Sequence, residues 1–75
     1  MKEERRKELS DMFDELSNFR DKIDAIAEEA QEEFDNKPIG FQVSMDGLRM
    51  ETEIKDLKDA SYYLDGAMNY LCDNI

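Results

Sequence analysis

Leu9, Met12, Leu16, Phe19, Ile23, Ile26 and Ala30 follow one another at spacings of 3, 4, 3, 4, 3 and 4 residues. Apolar residues alternating in threes and fours trace one line along an α-helix, and so long a line needs another helix to cover it. Phe13, Ala27 and Phe34 widen the line on one flank. The second half repeats the pattern. Met50, Ile54, Leu57, Ser61, Leu64, Met68, Leu71 and Ile75 are spaced 4, 3, 4, 3, 4, 3 and 4, with Ala60 and Ala67 widening that line. These runs predict a single all-α domain: a helix over residues 3–34, a loop over 35–44 and a second helix over 45–73, folded as an antiparallel two-helix hairpin. They also answer the disorder that a chain with 40% charged residues invites.

The connection is written in turn chemistry. Asn36 suits a helix C-terminus because it tolerates a left-handed backbone, and Pro38 stops the helix from continuing through Lys37. Ser44 is suited to cap the second helix, its hydroxyl accepting an orphan amide. Ile39, Phe41 and Val43 are too apolar for a free loop and are expected to fold over the end of the helix pair and plug its core.

Each line carries more apolar width than one partner helix covers, as if it faced two neighbours. A homodimer closing into a four-helix bundle would use that width, with Ala60, Tyr63, Ala67 and Tyr70 as the self-association surface. The alternative is that the tyrosines only cover the intramolecular contact.

The chain of 75 residues has one cysteine, Cys72, and five methionines, which suits a reducing compartment. The opening Met1-Lys2-Glu3-Glu4-Arg5-Arg6-Lys7-Glu8 leads into no apolar core of signal-peptide type, and no apolar run approaches the ~20 residues of a membrane span. The expected location is the cytoplasm. Twenty acids against ten bases leave a net charge of −10. That balance argues against direct binding to nucleic acid or an anionic membrane and for either simple solubility or a basic protein partner.

Catalytic chemistry has little to stand on. There is no histidine, so Cys72 lacks the commonest activating base, and no Glu-x-x-His pair can build a di-metal site. Gly40, Gly47 and Gly66 are scattered rather than gathered into a phosphate loop. A helix–loop–helix with Asp35, Gly40 and Asp46 at the first, sixth and twelfth loop positions imitates a calcium loop. Its third and fifth positions, however, hold Lys37, a cation, and Ile39, which has no side-chain oxygen. The expectation is a non-enzymatic protein without metal or cofactor.

One stretch breaks helix rules. From Asp24 to Asp35 stand six acids, Asp24, Glu28, Glu29, Glu32, Glu33 and Asp35, and no base. Glu28/Glu32 and Glu29/Glu33 repel at i,i+4, and all lie towards a helix C-terminus, where the macrodipole prefers cations. Lys2, Arg5, Arg6 and Lys7 crowd the opposite end, also against the dipole. Local rules fail preferentially at functional sites, so the acids are a candidate partner-binding face. The competing reading is a solvated face that keeps a small protein from aggregating.

Phe34-Asp35-Asn36-Lys37-Pro38-Ile39-Gly40-Phe41-Gln42 resembles the Phe/Tyr-Asp-Asn-x-Pro-x-Gly-Leu-Gln segment of a group of small, acidic, helical proteins encoded by bacteriophages and prophages. The likeness runs from Ile26 into the helix carrying Leu57, Ala60, Leu64 and Ala67. Ile39 stands where the group usually has an acid, and Phe41 where it has leucine. The resemblance implies a viral or mobile-element origin and a bacterial host cytoplasm. Three functions then compete. The first is an inhibitor of host defence, anti-CRISPR-like, whose carboxylates imitate phosphate spacing in a basic, nucleic-acid-binding host protein. The second is a structural or regulatory accessory protein that binds another phage protein through its apolar helical surface. The third is an oligomer tethering other chains through Lys2 to Lys7.

Overall fold

The computed structural model describes residues 1–75. Helix makes up 88% of the chain and no strand is present. The order is α1, Glu3–Asp35, then α2, Ile39–Gln42, then α3, Met45–Asp73. α1 and α3 lie side by side in a molecule measuring 58 × 14 × 13 Å. Arg20 Nη1 donates to Asp65 at 2.7 Å, and Lys58 Nζ donates to Gln31 Oε1 at 3.2 Å. Rising numbers in α1 meet falling numbers in α3, so the two run in opposite senses.

The contact face of α3 follows its periodicity. Ile54, Ser61 and Met68 are buried, and Met50, Leu57, Leu64 and Leu71 are partly buried between them, while Ile75 is exposed. In α1 the expected line is shifted. Ala27 and Phe34 are 3% and 7% exposed, whereas Met12, Phe19 and Ile26 are 53%, 54% and 55% exposed. Leu9, Leu16, Ile23 and Ala30, all partly buried, belong to either choice; α1 has turned so that Phe13, Ala27 and Phe34 complete the contact. Arg20 takes the place that periodicity gave to Phe19. Its aliphatic stem can lie along the interface while its guanidinium reaches Asp65, Asp21 and Ser17. The register set by Arg20–Asp65 and Gln31–Lys58 brings small Ala27 about level with small Ser61, and both are buried.

The connection departs from a plain loop. Asn36 is right-handed, φ −85° and ψ −6°, and no residue has positive φ, so the left-handed cap expected at Asn36 is not used. Instead Asn36 N–H donates back to Glu32 at 3.1 Å, and Pro38 turns the chain into the single helical turn of α2. Gln42 Nε2 donates to the carbonyls of Phe34 and Lys37, at 3.1 and 3.0 Å. Phe34 lies in the last turn of α1, whose carbonyls lack the usual i+4 partner, and Lys37 lies in the turn beyond it. Ser44 Oγ accepts from Gly47 N–H at 3.2 Å, the cap expected of it. The plug is corrected, because Ile39 and Val43 are 77% and 70% exposed and only Phe41 turns partly inward. One helical turn between Pro38 and Ser44 points successive apolar residues different ways, so the three cannot all face the core.

Candidate functional site

All six acids of the candidate face lie on the last three turns of α1. Asp24 is partly buried, and Glu28, Glu29, Glu32, Glu33 and Asp35 are exposed. The ion pairs of the molecule are Arg20–Asp21, Arg20–Asp65 and Lys55–Asp59, and none of the six takes part. Asp35 accepts from Gln31 Nε2 at 3.0 Å. At a helical rotation of about 100° per residue, Asp24, Glu28, Glu32 and Asp35 fall within about 80° of arc. They adjoin the edge where Arg20 and Gln31 reach across to Asp65 and Lys58. Glu29 and Glu33 lie about 120° further round, beside Ile26. The six therefore form two rows on different sides of α1. At the other end, the first turn holds Glu3 and Glu4, which favour the helix dipole, so the basic run Lys2 to Lys7 opposes it less than composition suggests.

The opposite edge of the molecule is apolar. Met12, Phe19 and Ile26 lie seven residues apart, hence on one line of α1. A groove beside them is lined by Leu9, Met12, Leu16, Phe19 and Leu71 with Glu15. Leu71 belongs to the α3 row Ala60, Leu64, Ala67 and Leu71, spaced 4, 3 and 4. That groove therefore places the alanine flank of α3 on the same side of the molecule as the exposed row of α1. Ala60 and Ala67 are exposed there. Tyr63 and Tyr70 stand further round α3, 73% and 76% exposed, with Tyr63 edge-on to Tyr62 at 5.7 Å between ring centroids.

The Arg20 guanidinium has a shifted protonation equilibrium. Its hydrogen bonds to Asp65, and secondarily to Asp21, hold the guanidinium's pKa above the ordinary value. Because that pKa is raised, rising pH removes this contribution only in strong alkali, as it passes through the raised value. No group of three or more His, Cys, Asp or Glu side chains is placed to hold a metal, and no helix is long and apolar enough to cross a membrane. Cys72 is exposed near the end of α3. Sequence reasoning missed Arg20, Gln42 and Tyr62. The first two were legible only as polar residues among apolar ones, and their partners become visible only once the register is known.

Comparison of the chain with protein-family models, curated proteins and solved structures finds no match among any of the three.

Proposed function

We propose that this chain is a non-enzymatic, phage- or prophage-encoded protein-binding module that inhibits a nucleic-acid-handling defence protein of its bacterial host. The observation supporting this is the row Asp24, Glu28, Glu32 and Asp35 on one side of α1, with no base paired to any member. Unpaired carboxylates on a rigid helix offer a basic channel a line of anions in place of phosphates. In this reading the two long helices are an antiparallel hairpin that pairs with a second copy into a four-helix bundle, leaving the acid row outside.

The test replaces the row alone, Asp24→Asn/Glu28→Gln/Glu32→Gln/Asp35→Asn. Host proteins retained by the wild type at low salt are identified, then challenged with high salt and with duplex or single-stranded nucleic acid. The expected partner is released by both and is not retained by the variant. Undiminished capture by the variant would leave the acids as a solvating face and remove the proposal. A second reading, an accessory protein that binds another phage protein through apolar surface, draws on the exposed row Met12, Phe19 and Ile26.

A further inference from the structure

The accessible surface is 5982 Å², whereas a compact monomer of 8.8 kDa exposes about 4,800 Å² by the usual mass scaling. The difference, about 1,200 Å², exceeds the roughly 800 Å² that each partner contributes to a standard protein interface. No side chain is fully buried. The surplus includes an ordered apolar face, Met12, Phe19 and Ile26 on α1 beside Ala60, Ala67 and Leu71 on α3.

The row through α1 extends in both directions with charge. Seven residues before Met12 is Arg5, and seven after Ile26 is Glu33, so the line reads Arg5, Met12, Phe19, Ile26, Glu33. Both end residues are exposed and neither has an ion-pair partner within the chain. The line is self-complementary when laid against itself in reverse: Arg5 meets Glu33, Met12 meets Ile26, and Phe19 meets itself. Phe19 is also the midpoint of α1, Glu3–Asp35. Self-complementarity about a midpoint is the requirement of a two-fold, isologous interface.

We infer that the occupant of this face is a second copy of the chain, packed α1 against α1 in antiparallel fashion with Phe19 on the two-fold axis. The inference rests on the paired-hairpin reading above and adds its surface and register. The same axis sets Leu64 level with Leu71 of the second copy and Ala67 close to its counterpart. It brings Lys22, whose Nζ lies 5.8 Å from the Phe19 ring centroid, level with Glu15 across the interface. The acid row Asp24, Glu28, Glu32 and Asp35 stays outside, so the pair carries two such rows, one per copy.

Charge exchange tests the register. By sedimentation equilibrium the wild type is expected at twice the chain mass of 8.8 kDa. Phe19→Glu sets two like charges on the axis and is expected to give a monomer of unchanged helicity. Arg5→Glu and Glu33→Arg are each expected to raise the dissociation constant, and the double exchange Arg5→Glu/Glu33→Arg to restore it. The two residues stand about 42 Å apart along their own helix, at 1.5 Å per residue, so restoration has no route within one chain. A wild-type monomer overturns both this inference and the paired hairpin. A dimer indifferent to Phe19→Glu, or unrestored by the double exchange, overturns this surface and leaves the pairing standing. Neither result bears on the acid row, which is tested by its own variant.

Discussion

A methyl group at position 47 would collide with the carbonyl oxygens of Phe41 and Gln42, the latter at 2.7 Å. Gly47 is buried in the first turn of α3, and the absence of a side chain there lets α2 fold back on α3. Gly66, in the same helix, has nothing within 4 Å of an added Cβ. Alanine normally stabilises a helix interior by about 0.5–1 kcal/mol over glycine. Gly66→Ala is therefore expected to raise stability by about that amount. Gly47→Ala is expected to lower it by about 1–3 kcal/mol, because rigid backbone must move. Thermal unfolding followed by circular dichroism reads both signs, and a stabilising Gly47→Ala would refute the tight approach of α2. Ile54, 3% exposed, is the other sensitive position. Truncation to alanine removes transfer energy and leaves a cavity, for an expected loss of about 2–5 kcal/mol.

At the scale of elements, α1 is held against α3 while its C-terminal turns repel one another. Neither long helix has a base in its last turn. Neutralising the row relieves two i,i+4 repulsions, Asp24/Glu28 and Glu28/Glu32, of about 0.2–0.5 kcal/mol each, and softens the clash with the dipole. The row variant should thus melt at the same temperature as the wild type or slightly higher, and a lower melting point would mean that the acids stabilise the helix. The extent of α3 and its Ser44 cap were legible in the sequence because periodicity and capping chemistry are local. Which face of α1 turns inward was not legible. Leu9, Leu16, Ile23 and Ala30 are common to two equally regular lines, one completed by Met12, Phe19 and Ile26 and the other by Phe13, Ala27 and Phe34. The choice between them depends on α3, where small Ser61 lies about level with Ala27, and on Arg20 reaching Asp65 across the pair. The acid stretch was legible as composition, but its division into two rows follows from helical rotation relative to that inward face. The α2 turn was hidden because four residues give no periodicity to read.

At the scale of the whole molecule, the radius of gyration is 17.1 Å, against about 11 Å for a compact chain of this length. Two copies side by side, at an axial separation of about 10 Å, would raise it only to about 18 Å. Joined end to end over the 58 Å length, they would approach about 34 Å, so small-angle scattering separates the two at once. Salt gives a second whole-molecule signature. Two chains of net charge −10 repel, and the few exposed cross-pairs offset little of that, so added salt should tighten self-association. Binding of the acid row to a basic partner should respond in the opposite sense, and equal responses would be incompatible with two separate surfaces. The 58 × 14 × 13 Å shape has a hydrodynamic consequence. A rod of this axial ratio meets more friction than a sphere of equal mass, so a gel-filtration column calibrated with globular standards would read the single chain as something larger. Lateral pairing thickens the rod without lengthening it, so the friction per unit mass falls as the mass doubles and the two species elute closer together than their masses suggest.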